Sequence, residues 1–141
     1  MTNVNLKIGN AVDVHQLEKK IPFIIGGVKI KSNLGIKGHS DGDILIHAIV
    51  DALLGAMSMG DIGNFFPSNK KWKNCDSSFF LIDVLKKLKT KHYHVVNIDS
   101  TIILQKPKIN SYILKIRGNL AELMQLDINQ ISVKATTTDH L

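Results

Sequence analysis

The chain has little cysteine, little arginine and no long apolar segment. Cys75 is its single cysteine among 141 residues, which excludes an internal disulfide and a zinc site built from several cysteines. No apolar run approaches the roughly 18 residues that a membrane-spanning helix needs, and the N-terminus lacks the basic-then-apolar pattern of a secretory signal. We therefore expect a cytoplasmic protein in a reducing compartment, without a membrane partner.

The shortage of arginine bears on the net charge, which is +6. Arg117 is the single arginine among 18 basic residues. Base recognition and bidentate phosphate binding favour arginine, and the lysines are scattered with few aromatic residues among them. We therefore expect no nucleic-acid partner. A positive surface of this kind would instead attract a small anionic molecule.

Hydrophobic residues make up 44% of the chain and charged residues 21%, which is typical of a single globular domain spanning 1–141. The periodicity of apolar residues predicts extended segments and three helices. The extended segments are 4–15, 21–30, 95–104 and 131–135. The first helix runs from about 41 or 43 to 59, the second from 76 or 77 to 89, and the third from 110 or 111 to 126. Residues 60–75 are the best candidate for a mobile loop. Strands mixed with helices indicate an α+β fold, with the three helices packed on one face of a mixed β-sheet.

The most informative stretch is His39-Ser40-Asp41-Gly42-Asp43, which leads into an apolar helix that carries His47. Ser40 or Asp41 is a plausible N-cap. Asp43, His47 and Asp51 follow each other at i, i+4 spacing and therefore share one helix face. An unpaired buried carboxylate is costly unless a cation compensates it, so this stripe favours a metal or another bound cation.

A second pair, Asp13 and His15, would project from one face of an extended segment. Together with His47 it would give two histidines and one carboxylate, a set typical of catalytic zinc that could also take iron. Each piece also has an ordinary structural interpretation, because Asp-x-His occurs by chance and a lone histidine on an apolar helix is usually a core residue. The spacing alone leaves both alternatives open.

Three further groups could bind phosphate. His39 and Ser40 precede a helix, where free N–H groups attract anions. The others are Lys106-Pro107-Lys108 and the run from Lys134 to Asp139, whose three threonine hydroxyls and carboxylate could hold a diphosphate and Mg²⁺. Helix capping and ordinary strand ends are the alternatives.

Together these motifs resemble those of the 2-C-methyl-D-erythritol 2,4-cyclodiphosphate synthase family, in order and over nearly the whole chain. The matching pieces are Asp13-Val14-His15, Ile25-Gly26-Gly27-Val28, His39 to Asp43 with His47, Asp51 to Ala56, Gly60-Asp61-Ile62-Gly63 with Phe66-Pro67, Pro107-Lys108, and Lys134-Ala135-Thr136-Thr137-Thr138.

The resemblance implies a lyase of the non-mevalonate isoprenoid pathway. It would convert 4-diphosphocytidyl-2-C-methyl-D-erythritol 2-phosphate into the 2,4-cyclodiphosphate and CMP by metal-assisted intramolecular phosphoryl transfer. By similarity, Zn²⁺ would be held by Asp13, His15 and His47, and a second ion, Mg²⁺ or Mn²⁺, by Asp139. His39 and Thr137 would be catalytic. Substrate contacts would come from Asp13, His15, His39, Ser40, Asp61, Ile62, Gly63, Pro107, Lys108, Ala135, Thr136, Thr137 and Thr138.

The resemblance also implies a homotrimer in which sheets pack together and active sites are shared between subunits. Family members continue with a glycine-rich segment and a final strand, a segment absent after Leu141. Two other functions remain open from the residues alone. One is a different metal-dependent phosphoesterase that uses the same three ligands, and the other is a non-catalytic metal- or nucleotide-binding module.

Overall fold

A computed structural model describes residues 5–141. Within that range the chain forms six strands, four α-helices and three short 3₁₀ helices. The strands are β1 (Leu17–Lys19), β2 (Phe23–Ile25), β3 (Val28–Ile30), β4 (Leu34–Ile36), β5 (Ile98–Ile103) and β6 (Ile131–Thr136). The α-helices are α1 (Ile44–Ala56), α2 (Ile62–Phe65), α3 (Ser77–Thr90) and α4 (Ile113–Met124), and the 3₁₀ helices are Lys70–Trp72, Asn110–Tyr112 and Ile128–Gln130.

The strands form three two-stranded sheets. β1 pairs with β4 and β2 with β3, both antiparallel, whereas β5 and β6 are parallel. The expected α+β class is confirmed, but the expected single mixed sheet is wrong. Each of the first four strands has only three residues, and Lys20 turns the chain with a φ of 66° between β1 and β2. Strands this short do not extend their hydrogen-bond ladders into one continuous sheet. A hydrogen bond from the Ile36 N–H to the Pro22 carbonyl (3.2 Å) connects the two antiparallel pairs.

The β2–β3 turn consists of two glycines. Gly26 and Gly27 have φ values of 57° and 73°, and two successive residues with positive φ are what a type I′ hairpin turn requires. Asn119 of α4 donates its side-chain amide to the Gly26 carbonyl (2.7 Å). The N–H groups of both glycines point toward the start of α1, where they meet a buried carboxylate described below.

The helices enclose the hydrophobic core. α1 packs against α3, α3 against α4, and α4 against β6. The expectation that α1 is apolar almost all round is confirmed, since Ile46, Val50 and Leu54 are fully buried. α1 ends at Ala56 rather than near Met59, because Ser58 adopts a φ of 55° that a helix cannot continue. α3 has the predicted bounds to within one residue, and α4 follows a 3₁₀ turn.

The N-terminal segment does not form the strand predicted for residues 4–15. Val4 lies outside the described residues, and residues 5–16 run without a strand partner. The segment lies on α1, and a Cβ atom placed on Gly9 would sit 1.9 Å from the Ala52 carbonyl oxygen. A helix offers no free row of backbone groups for ladder hydrogen bonds, so the segment follows α1 without becoming a strand.

Residues 60–75 were expected to form a loop, and they contain α2 and one 3₁₀ helix. Phe66 stacks on Phe80 of α3 with ring centroids 4.4 Å apart, and Trp72 meets the same ring edge-on at 5.7 Å. These contacts fix the segment to the core. Among residues 5–141, no helix is both long enough and apolar enough to cross a bilayer.

Candidate metal centre

Asp13, His15 and His47 converge on one point. Each offers one ligand atom, and these atoms all lie within 4.8 Å of one another. Asp13 Oδ2 is 3.1 Å from His15 Nδ1 and 3.2 Å from His47 Nδ1. The segment that lies on α1 through Gly9 thus brings the Asp-x-His pair to the buried histidine of the helix. The structure confirms that these three predicted ligands lie close enough to bind a metal ion.

Two observations fit a metal ion at this point. A tetrahedral zinc with bonds of about 2.0–2.2 Å would place its ligand atoms roughly 3.3–3.5 Å apart, close to the two separations measured from Asp13. In addition, within residues 5–141 the Nδ1 atom of His15 is buried without a hydrogen-bond partner. It lies near Asp13 at an angle that does not make a hydrogen bond. A buried ring nitrogen without a partner is costly, and a metal would satisfy it.

The charge balance of the site favours an ionised Asp13. Burial alone raises the pKa of this carboxyl. The hydrogen bond between Asp13 and His47 and the charges of His15 and His47 outweigh burial, so the pKa of Asp13 lies below its usual value of 3.8. Asp13 is therefore available as a negatively charged ligand at neutral pH.

The other side of the His47 ring meets hydroxyl groups. Its Nε2 lies 2.9 Å from Ser40 Oγ and 2.9 Å from Ser77 Oγ. Ser77, the first residue of α3, is fully buried and donates its hydroxyl to the Asp41 carboxylate. The role of Ser77 could not be predicted from the sequence, because Ser77 lies 30 positions from His47. Its one sequence feature was its place at the predicted start of a helix.

Asp43 is a structural carboxylate that does not touch the His47 ring. It is fully buried and accepts the N–H groups of Gly26 (2.9 Å), Gly27 (2.6 Å) and Ile46 (3.1 Å). Burial raises its pKa to about 6, against the lowering effect of these donors. The predicted N-caps, Ser40 and Asp41, are wrong, since Asp43 caps α1.

The capping position of Asp43 also bears on the predicted phosphate site at this helix start. The Asp43 carboxylate takes the Ile46 N–H, so that donor is not presented to an anion. The phosphate contacts predicted for His39 and Ser40, which precede Asp43, remain predictions.

Asp51 connects α1 to the following segment. Its Oδ1 accepts the Ile62 N–H (2.6 Å), so the predicted substrate residues Asp61, Ile62 and Gly63 are held at the end of the metal helix. Burial raises the pKa of Asp51, the Ile62 N–H lowers it, and the charge of Asp61 raises it, which leaves the pKa above its usual value. Asp51, which shares a helix face with His47, thus anchors the backbone of the following segment.

His39 is exposed, and its Nε2 forms a 2.6 Å hydrogen bond with the Asn69 carbonyl. The backbone on either side of it is paired with the segment before α3. The Asn74 N–H donates to the His39 carbonyl (2.9 Å), and the Asp41 N–H donates to the Cys75 carbonyl (3.0 Å). His39 is thus oriented by the 60–75 segment rather than by the three ligands.

The remaining predicted residues lie at the ends of the parallel pair β5–β6. Pro107, Lys108, Thr137 and Asp139 line a cavity of about 770 Å³. Ala135 and Thr136 end β6, and Thr138 donates its hydroxyl to the Gln105 side-chain carbonyl (2.8 Å). Parallel strands end at the same sheet edge, which explains why these two predicted groups meet.

A smaller cavity of about 300 Å³ adjoins the metal ligands. It is lined mainly by apolar side chains, together with His15, Gln105 and Thr138. Gln105 lines both cavities. Within one chain, Asp139, the residue predicted to hold the second ion, thus lines a different cavity from His15.

A family model described as the YgbB family matches residues 6–141. The chain belongs to the YgbB family. A 2-C-methyl-D-erythritol 2,4-cyclodiphosphate synthase from Francisella tularensis subsp. novicida is 49% identical over 98% of this chain and 88% of the relative. The resemblance stated from the motifs is confirmed.

Solved structures agree with this membership of the YgbB family. A 2C-methyl-D-erythritol-2,4-cyclodiphosphate synthase with CDP bound superposes with a TM-score of 0.91 at 32% identity, covering 96% of this chain and 91% of that chain. The Plasmodium falciparum IspF in complex with CDP gives a TM-score of 0.82 at 37% identity and covers 96% of this chain and 83% of that chain. The small sheets and helices therefore form the fold of these enzymes.

Proposed function

We propose that this YgbB-family chain is a 2-C-methyl-D-erythritol 2,4-cyclodiphosphate synthase of the isoprenoid pathway. It would convert 4-diphosphocytidyl-2-C-methyl-D-erythritol 2-phosphate into the cyclic diphosphate and CMP. The observation that carries the proposal is the convergence of Asp13, His15 and His47 in a chain 49% identical to an enzyme of that name. The buried Nδ1 atom of His15, which has no hydrogen-bond partner within residues 5–141, supports it.

Asp13, His15 and His47 would hold Zn²⁺. A divalent ion bound there supplies positive charge that stabilises the developing negative charge on phosphate oxygens. The carboxylate lies between the two histidines, so it both supplies a ligand and fixes the positions of the rings. The set leaves a coordination position open for a phosphate oxygen, as catalytic zinc sites do.

The cavity at the end of β5 and β6 would bind the diphosphocytidyl part. Lys106, Pro107, Lys108 and Thr137 line it, and lysine ammonium groups and hydroxyls are suitable partners for phosphate oxygens. Asp139 would hold the second ion, Mg²⁺ or Mn²⁺. Further contacts would come from Ala135, Thr136 and Thr138.

The methylerythritol phosphate part would meet His39, Ser40, Asp61, Ile62 and Gly63. In the reaction the 2-phosphate oxygen attacks the β-phosphorus, the bond from the β-phosphorus to the bridging oxygen breaks, and CMP leaves with that oxygen. His39 and Thr137 would stabilise the charge of this transfer. The task of these residues is to bring two anionic groups together in line, which requires orientation and charge stabilisation rather than a side-chain nucleophile.

An active site shared between subunits would explain how one substrate could contact residues that line two separate cavities of one chain. Because Asp139 and His15 line different cavities of one chain, a substrate that touches both residues fits a homotrimer in which neighbouring subunits complete each site. The reaction would take place in the cytoplasm.

The test is direct product analysis. Purified protein is incubated with 4-diphosphocytidyl-2-C-methyl-D-erythritol 2-phosphate, zinc and magnesium, and the products are separated by ³¹P NMR and mass spectrometry. We expect equal amounts of CMP and the cyclic diphosphate. Linear hydrolysis products would instead indicate another metal-dependent phosphoesterase, and zinc and nucleotide binding without turnover would indicate a non-catalytic module.

A further inference from the structure

His47 has a polar partner on each side of its ring. Nδ1 lies 3.2 Å from Asp13 Oδ2, on the side of the metal ligands. Nε2 lies 2.9 Å from the hydroxyl oxygens of Ser40 and Ser77. A neutral imidazole has one N–H and one lone pair, so its partners decide which nitrogen can serve as a ligand.

The direction of the hydrogen bonds on the Nε2 side is set by Asp41. An ionised carboxylate can only accept hydrogen bonds. Asp41 Oδ1 takes the Ser77 hydroxyl proton, and Oδ2 takes the Ser77 N–H at 3.0 Å. Because the single hydroxyl proton of Ser77 is used on Asp41, the Ser77 oxygen can only accept from His47, and Nε2 must carry the proton.

The carboxylate is itself held in place. Asp41 Oδ1 also accepts the Asp43 N–H at 3.1 Å, and the Asp41 N–H donates to the Cys75 carbonyl at 3.0 Å. The loop before α1 and the start of α3 therefore form one rigid arrangement around Nε2. Ser77 is fully buried, so water does not compete for its hydroxyl.

We propose that Asp41 and Ser77 are positioning residues of the metal centre. The Ser77 oxygen accepts the Nε2–H of His47, and Asp41 accepts the Ser77 hydroxyl and so directs its lone pair toward His47, which leaves Nδ1 for the metal. The inference rests on the proposed metal site. Ligating histidines usually donate their second N–H to a carboxylate, a carbonyl or water, which fixes ring orientation. Here a serine stands between histidine and carboxylate, and it comes from a different helix.

The experiment compares Ser77→Thr with Ser77→Val. Threonine and valine have nearly the same shape and differ in the hydroxyl, so both place an extra methyl in the same buried position. Zinc affinity is measured on the full chain by competition with a chromophoric chelator. We expect Ser77→Val to weaken zinc binding about 10- to 100-fold relative to Ser77→Thr, the range typical of lost outer partners.

A second measurement reads the proton itself. In ¹⁵N-labelled protein, with and without zinc, we expect a slowly exchanging His47 Nε2–H signal in wild type and Ser77→Thr. We expect much faster exchange in Ser77→Val, in which the Ser40 hydroxyl remains as a partner. Asp41→Asn removes the charge that directs the Ser77 proton and should also speed this exchange. Ser78→Ala, one residue further along α3, is the control that should leave both zinc affinity and the signal unchanged.

The outcomes separate this inference from the proposed function. Equal zinc affinity and an equally protected Nε2–H in the threonine and valine variants would overturn the inference, even if the protein forms CMP. A protected Nε2–H that depends on the Ser77 hydroxyl, in a protein that binds zinc but makes no cyclic product, would support the inference while the proposed function fails. Circular dichroism confirms that both variants remain folded.

Discussion

Burial of Asp43 makes the stability of this protein depend on pH in an unusual direction. Its pKa is raised from 3.8 to about 6 in the folded chain. A group whose pKa is higher in the folded state stabilises the fold fully below the unfolded value, and that contribution is lost as the pH rises through the folded value. The Asp43 contribution should therefore be complete below pH 3.8 and gone above about pH 6.

The size of the effect follows from the shift. About two pKa units correspond to about 3 kcal/mol of unfolding free energy, and full burial means that solvent screens little of it. Asp43→Asn removes the titration but replaces one acceptor oxygen with an amide that faces the Gly26 or Gly27 N–H, at a cost of about 1–3 kcal/mol. The two effects nearly cancel at pH 7, so only a pH series is informative.

Urea unfolding of wild type and Asp43→Asn is measured from pH 4 to pH 7.5 with a chelator present. We expect the wild-type advantage in unfolding free energy to fall by about 3 kcal/mol across this range and then level off. Groups common to both proteins cancel in the difference. A difference that is flat, or that grows with pH, would refute the reasoning. The second result would mean that three backbone N–H donors outweigh burial and lower the pKa of Asp43.

Three shorter predictions concern the metal and the substrate. His47→Ala should abolish bound zinc in metal analysis, whereas His92→Ala, at an exposed histidine, should retain it; unchanged metal content in the first variant would remove His47 from the ligand set. Gly9→Ala places a methyl 1.9 Å from the Ala52 carbonyl oxygen, so the segment must shift, and zinc affinity measured by chelator competition should fall about tenfold or more. Lys108→Ala should raise KM for the diphosphocytidyl substrate several-fold with a smaller change in kcat, and an unchanged KM would place the nucleotide elsewhere.

The three candidate metal ligands could be named from the sequence, although spacing alone left an ordinary structural role open and the family motifs were needed to combine them. The pair Asp13 and His15 is separated by one residue, and His47 is a polar residue on an apolar helix. The neighbours of the two carboxylates that share a helix face with His47 could not be predicted in the same way. Helical spacing places Asp43 and Asp51 on that face. In the structure, however, Asp43 binds the N–H groups of Gly26 and Gly27, and Asp51 binds the N–H of Ile62. Residues that share one face of a helix can therefore contact different parts of the protein, and helical spacing alone does not predict those contacts.

The fold was predictable where periodicity extends over many residues. Phe80, Val84 and Leu88 of α3 recur at helical spacing, and all three are buried. The first strands were not predictable, since a three-residue strand carries too little alternation and its partner is decided by turns elsewhere. The same limit applies to Ser77, whose contact with His47 depends on backbone pairing between two loops.

A metal ion at this site would also stabilise the N-terminal segment, which has no strand partner among the described residues. Asp13 and His47 are 34 positions apart, and an ion bound to both would cross-link the chain as a disulfide does. By the loop-closure relation for a disulfide of this span, such a link removes about 4 kcal/mol of unfolded-chain entropy. A bound zinc ion would thus supply the kind of cross-link that a chain with a single cysteine cannot form by an internal disulfide. Its N-terminal segment should become accessible to proteases when a chelator removes the ion, and resistant again when zinc returns.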